Sequence, residues 1–197
     1  MLQGHPDRAL VDDVLTGLRC GFHLGFNSSI VSLKSASQNM SSALLQPAVI
    51  DKYLLDEMKK ERIAGPFSTP PLPHLHMSHF GVIPKKHQPG KWRLILDLSS
   101  PSGASVNDGI PRDPFSVQYV SVDDIIYRIL AYGRGTLMAK FDIESAYHIV
   151  PVHPEDRFLL GMCWKGNLFI DLALPFGLHS APFIFTAIAD LLEWTLR

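Results

Sequence analysis

Thr136 to Asp142 is a short, mostly apolar run closed by a carboxylate, and Tyr147 follows that carboxylate by five residues. About thirty residues further on, Leu174-Pro175-Phe176-Gly177-Leu178 and Ser180-Ala181-Pro182 make a Pro/Gly turn. A run from Pro182 to Arg197 with no Gly and no second Pro comes next. This order narrows the fold sharply. An apolar strand can end on a charged group only where that charge meets a cleft or solvent, and a proline in the first helical turn opens a helix without sacrificing a hydrogen bond. The expectation is a core strand over Thr136–Asp142 ending at a cleft, and a last helix over Pro182–Arg197 of about 24 Å at the usual rise per residue.

The remaining elements follow from periodicity. Leu10, Val11, Val14, Leu15 and Leu18 recur at helical spacing between Asp7 and Gly21. Pro47 opens a second helix through about Ile63, with Ile50, Leu54, Leu55 and Met58 as its stripe and Gly65-Pro66 as its stop. Between them, Asn27 to Gln46 is rich in Ser, Asn and Ala and reads as a linker or mobile loop. The chain is therefore divided into residues 1–46, an N-terminal helix and linker, and residues 47–197. Pro66 to Pro73, with four prolines, is an extended connector. Phe80–Pro84 and Lys91–Leu98 are two strands around a Pro89-Gly90 turn, the second alternating Trp92, Leu94, Leu96 and Leu98 with Lys91, Arg93, Ile95 and Asp97. Ser99–Pro114 is loop, and Val122–Leu130 a helix with Val122, Ile125, Ile126 and Ile129 facing inward. Phe158–Trp164 and Leu168–Leu172 form a hairpin turning at Lys165-Gly166-Asn167. Helices interspersed with antiparallel hairpins make an α+β fold.

Composition excludes several classes. With 46% hydrophobic residues over 197 positions, the chain can bury one substantial core or two small ones. A net charge of −1 sets up no global field for nucleic acid, so such binding would rest on local patches. Cys20 and Cys163 lie far apart without a CxxC spacing, against a zinc ribbon or a disulfide framework and in keeping with a reducing compartment. There is no apolar run of membrane-spanning length and no signal-peptide core at the N-terminus. A soluble intracellular protein is expected, in cytoplasm or nucleus.

Several residues carry chemistry in this frame. Asp142, at a rigid strand end facing a cleft, is placed to coordinate Mg²⁺, although a helix-capping role is the ordinary use of such an aspartate. Tyr147 is either a core tyrosine or an aromatic floor near that cleft. Lys85, Lys86, Lys91 and Arg93 place four positive charges within nine residues of a hairpin, either a solvated tip or a grip on one anion. Phe176-Gly177 sits at a tight turn where glycine permits close approach to a ligand. His74, His76 and His79 lack the spacing of a helical ligand pair and a nearby fourth donor, so hydrogen-bonded histidines are favoured over a metal site.

In their order, Lys86 with Arg93, Lys140-Phe141-Asp142 with Tyr147, and Leu174 to Pro182 resemble retrotransposon reverse transcriptases of the Ty3-like and DIRS-like kinds, over about Phe80 to Arg197. The resemblance implies the fingers and first half of the palm, an antiparallel sheet with packed helices, truncated before the second catalytic carboxylate hairpin. It implies an RNA-directed DNA polymerase in which Asp142 is catalytic and binds Mg²⁺ and Tyr147 excludes a ribose 2′ hydroxyl. Lys86 and Arg93 would hold the triphosphate, with Phe176 and Gly177 against the nascent base pair. RNA or DNA template-primer and deoxynucleotides are the implied partners. The Tyr/Phe-x-Asp-Asp hairpin of that family is not among these residues, and Glu144 has no ligand role there, so no activity is expected from residues 1–197 alone. The alternative is a non-catalytic retroelement remnant that binds nucleic acid weakly. An unrelated interaction domain would fit the composition but leaves the motif order unexplained.

Overall fold

The structure, a computed structural model, describes residues 2–35, 38–139 and 142–196. Helix α1 (Arg8–Cys20) starts where the Asp7 side chain accepts the Leu10 N–H and ends at Gly21, with Val11 and Val14 buried. Pro47 opens α3 (Pro47–Lys59), just after the short α2 (Ser41–Leu45). Ile50 and Leu54 are buried as expected, whereas Leu55 is exposed and the buried residue one turn beyond Leu54 is Glu57. The helix stops earlier than its sequence suggests because Ile63 begins a strand.

That strand is β1 (Ile63–Phe67), followed by β2 (Met77–Pro84), β3 (Trp92–Asp97), β4 (Gly161–Trp164) and β5 (Asn167–Asp171). They form one five-stranded sheet in the order β1-β5-β4-β2-β3. The sheet is mixed, a correction to the antiparallel expectation: β2 runs parallel to β4, and the other neighbours are antiparallel. The β4–β5 hairpin turns through Lys165 and Gly166, both at positive φ, the backbone that a two-residue type I′ turn demands. In the β2–β3 hairpin Pro89 and Gly90 occupy the centre of a turn closed by Lys91 N–H donating to Gln88 O, with Gly90 at φ 78°. Phe80, Met162 and Trp164 from the sheet pack with Ile50 and Leu54 in the main core.

Two segments expected as loop contribute to this core. Residues 39 and 40 of the expected linker are bonded to the sheet: the Asn39 side chain accepts the Phe80 N–H of β2 and donates to Cys163 O of β4, and Met40 N–H donates to Phe80 O. Ala43 and, upstream, Leu24 belong to the same core as the residues after 47. Within Ser99–Pro114, Val106 and Ile110 are fully buried. Small and polar residues can lie on a sheet edge when their side chains satisfy its open N–H and C=O groups.

The opposite correction applies to α4 (Val122–Tyr132). Its capping box, Ser121 with Asp124, and its stop at Gly133 form as the sequence dictates, yet no residue of the helix is buried, and Val122 is 72% exposed. Thr136–Ala139 and Asp142 form no strand, and Leu137 is 97% exposed; Lys140 and Phe141 of the expected strand lie outside the described residues. A strand persists only where a neighbouring ladder takes its backbone groups, and no described segment pairs with this one. Helix α5 (Ala181–Leu196) carries Pro182 in its first turn, with Ala181, Ile184 and Leu191 buried. Leu191 packs on Val11 and Val14 of α1.

Candidate active site

The turn between β5 and α5 is anchored at both ends. Leu174 and Leu178 are buried, and Leu174 N–H donates to Val150 O at 2.9 Å. Between those anchors Phe176 is pushed outward, 56% exposed, and Gly177 adopts φ 93°, a conformation that resists any larger residue. Asn107, 3% exposed, holds the turn in place. Its amide nitrogen donates to Gly177 O at 2.8 Å and Ser99 Oγ at 2.9 Å, its Oδ1 accepts the His179 N–H at 2.9 Å, and its own N–H donates to Leu98 O. One side chain thus fastens the end of β3 to the turn.

Phe176 forms one wall of a cavity of about 560 Å³ that also takes in Asp142, Tyr147, Tyr119, Phe185 and Thr186. Tyr147 is half-buried, its ring 5.1 Å from Phe176 and 5.8 Å from Phe185. Burial, with the Tyr119 phenol beside it, raises the Tyr147 hydroxyl above its ordinary pKa, so it stays a neutral hydrogen-bond donor. The chain reaches Tyr147 through Ser145 at φ 55°, a turn that separates the exposed Asp142 from the packed ring. Asp142, Tyr147 and Phe176, expected from sequence to act together, share one cavity. Gly177 lies one residue outside its lining. Lys86 and Arg93 do not line it: Arg93 is on β3 opposite Ile83, Lys86 is in the connection beyond β2, and both are exposed.

Behind Tyr147 lies a polar group that the sequence did not signal. The buried His148 contacts Glu57 Oε2 through Nδ1 at 3.4 Å and Asp171 Oδ2 through Nε2 at 3.5 Å, and its ring is 5.8 Å from Phe176. Lys60 and Arg62 also pair with Glu57. Burial opposes charge on His148, but the hydrogen bond and charge of Asp171, aided by Glu57, outweigh it and raise the His148 pKa. Asp171, fully enclosed, is raised by burial against the pull of His148. Glu57 is pushed up by burial and down by Lys60, His148 and Arg62, with a net lowering. These residues come from three distant parts of the chain. The visible hint was an acidic residue closing the apolar run Leu168–Ile170.

His74, His76 and His79 form no metal-binding group among the described residues. His79 Nδ1 contacts Gln38 O, while His76 is 2% exposed with neither ring nitrogen hydrogen-bonded, and burial followed by His79 lowers its pKa. It is a neutral core histidine.

No protein-family model matches the chain. Its sequence is 30% identical over 114 residues to the Pro-Pol polyprotein of simian foamy virus type 1, covering 57% of this chain and 9% of that polyprotein. It is 23% identical over 139 residues to the retrovirus-related Pol polyprotein from transposon opus of Drosophila melanogaster, covering 69% and 12%. The chain is thus similar in sequence to a part of retroviral and retrotransposon Pol polyproteins. Its fold matches part of the foamy viral protease-reverse transcriptase in complex with an RNA/DNA hybrid, with a TM-score of 0.59 and 18% identity over 87% of this chain and 21% of that one. The native prototype foamy virus protease-reverse transcriptase gives 0.51 and 24%, over 83% and 19%. The chain spans about a tenth of the length of these Pol relatives and about a fifth of the solved chains.

Proposed function

We propose that the Pol-related chain supplies the fingers and first half of the palm of a retroelement RNA-directed DNA polymerase, in a unit spanning residues 47–197 with the preceding residues packed on it. The observation that carries this reading is the cavity that gathers Asp142, Tyr147 and Phe176 from two separate motifs. In it, Asp142 contributes a carboxylate to the polymerisation centre. Tyr147, braced by Phe176 and Phe185, presents a neutral aromatic face to the incoming sugar and leaves no room for a ribose 2′ hydroxyl. Phe176 and the Gly177 backbone abut the nascent base pair. Lys86 and Arg93, exposed on the β2–β3 hairpin outside the cavity lining, are assigned to the triphosphate. Template-primer and deoxynucleotides are the corresponding partners. The finer kinship to Ty3-like and DIRS-like elements rests on Phe after Pro175 and on the motif order.

The donor set does not by itself make a two-metal site. Mg²⁺ takes octahedral oxygen coordination, and paired ions need several carboxylates, whereas Asp142 is the sole carboxylate lining the cavity among the described residues. The tandem aspartates Asp12-Asp13 and Asp123-Asp124 are built into α1 and α4, the latter with Asp124 in a capping box. Further carboxylates for such a site have to come from another segment.

The experiment is complementation. Residues 1–197 extended by a palm segment bearing Tyr/Phe-x-Asp-Asp are assayed for primer extension on RNA with Mg²⁺ and deoxynucleotides. Extension should depend on Asp142, vanish in Asp142→Asn and be absent from residues 1–197 alone. In the extended chain Arg93→Ala should weaken nucleotide use about ten- to a hundredfold, the worth of one charge-assisted phosphate contact. Activity that survives Asp142→Asn refutes the assignment. Loss of template affinity in Arg93→Ala with unchanged nucleotide kinetics moves Arg93 to the nucleic-acid backbone.

A further inference from the structure

Two distant parts of the chain are locked together by a parallel bridge between Phe22 and Val152. Phe22 N–H donates to Pro151 O at 2.8 Å, and His153 N–H donates to Phe22 O at 2.9 Å. Gly21 makes the approach possible, since a Cβ there would collide with the His153 backbone. The bridge sets His23 and His153 side by side, ring centroids 3.9 Å apart and planes inclined by 31°. A ring nitrogen of each and a carboxylate oxygen of Glu155 all lie within 4.8 Å of one another. None of the three lines the cavity of Asp142.

We propose that His23, His153 and Glu155 form a binding site for a divalent transition-metal ion of the zinc class. Two imidazoles and one carboxylate match the donor preferences of Zn²⁺, Co²⁺, Ni²⁺ and Cu²⁺ and are poorly suited to Mg²⁺ or Ca²⁺. His23 is already oriented for this role: its Nδ1 lies 3.2 Å from Asp156 Oδ2, which also accepts the Leu24 N–H at 2.6 Å. A carboxylate on one imidazole nitrogen fixes the tautomer and turns the lone pair of the other nitrogen outward, as in the outer shell of many zinc sites. His153 Nδ1 accepts the Glu155 N–H over 3.3 Å, a long contact that is easily exchanged for a metal bond or a change of tautomer. Zn–N bonds near 2.05 Å imply a donor separation of about 3.3 Å in a tetrahedral site. Side-chain rotation closes the present spacing, because His23 and Glu155 are exposed while the backbone on either side of them, at Phe22, Leu24, His153 and Asp156, is held by hydrogen bonds. Water completes the coordination shell. The competing account is a stacked histidine pair satisfied by local hydrogen bonds, with no affinity for metal.

The test is Zn²⁺ titration of residues 1–197 against a chromogenic chelator, with Co²⁺ absorption as a second probe of coordination. The parent should take up an equimolar amount of Zn²⁺ with resonance shifts at the His23 and His153 ring nitrogens. His23→Ala and His153→Ala should each weaken binding about tenfold or more. His87→Ala, at the tip of the β2–β3 hairpin, should bind like the parent. Because the His153 ring caps the short helix 154–159, that variant may be replaced by Glu155→Gln if its circular dichroism shows unfolding. Undiminished affinity in His23→Ala, or equal loss in His87→Ala, overturns the proposal.

Discussion

Asn107→Ala removes three side-chain hydrogen bonds at once, to Ser99 Oγ, Gly177 O and His179 N. At a net worth of about 0.5–1.5 kcal/mol each, the loss is about 1.5–4.5 kcal/mol. For a domain of this size that corresponds to a fall in Tm of roughly 5–15 °C. Asn107→Asp sharpens the argument, because it keeps the acceptor for His179 but sets carboxylate oxygen against the Gly177 carbonyl and buries a charge. It should be at least as damaging as alanine despite being closer in shape. Ser99→Ala removes only the weakest link and should cost about 1 kcal/mol. In a double-mutant cycle it should couple to Asn107→Ala, since the two share one bond. Urea and thermal unfolding followed by circular dichroism and tryptophan fluorescence supply the numbers. An Asn107→Ala loss below about 0.5 kcal/mol, or an Asn107→Asp variant as stable as the parent, would refute the claim that this side chain fastens the turn to β3.

Tyr147→Ala in the extended polymerase should relax discrimination against ribonucleotides by up to about a hundredfold, the range open to a purely steric pocket; unchanged incorporation ratios with lowered stability would make Tyr147 a packing residue only. Stability should depend on pH on both sides of neutrality. The raised pKa of His148 contributes stability that is complete below its unfolded value and is lost as pH rises through the folded value. The lowered pKa of Glu57 contributes stability present above its unfolded value and lost as pH falls through the folded one. Denaturation midpoints from about pH 2 to about pH 9 read both limbs, since the Glu57 limb lies below the ordinary glutamate range, and His148→Gln should flatten the alkaline one; an unchanged alkaline slope in that variant would remove His148 as its source.

Local chemistry explains what the sequence made legible. Pro47 and Pro182 act within a turn of where they stand, so the starts of α3 and α5 were readable. The hairpins were readable for the same reason, through Pro89-Gly90 and Lys165-Gly166. Asp142, Tyr147 and Phe176 were found as a set through motif order, and they share a cavity. Asn107 and the Glu57–His148–Asp171 group were not found. Their meaning depends on which strands become neighbours, and a polar residue in a loop or at a helix end is the commonest thing a sequence contains. The parallel β2–β4 contact was invisible too, because Met77–Ser78 and Gly161–Met162 are joined by no turn that would announce the pairing.

The expected strand at Thr136–Asp142 and the inward stripe of α4 show a different limit. Apolar periodicity records that residues are suited to burial and is silent on which partner buries them. Val122, Ile125, Ile126, Leu130, Leu137 and Met138 keep that character while lying exposed. In the proposed polymerase the missing carboxylates and the missing cover have a common solution. A hairpin that pairs with the segment ending at Asp142 would satisfy its backbone, bury the apolar side chains beside it and bring a second set of metal ligands to the cavity. Completion of the catalytic site and completion of the core would then be one folding event, a proposal in keeping with an Asp142 that is exposed while the Tyr147 and Phe176 rings already pack against one another.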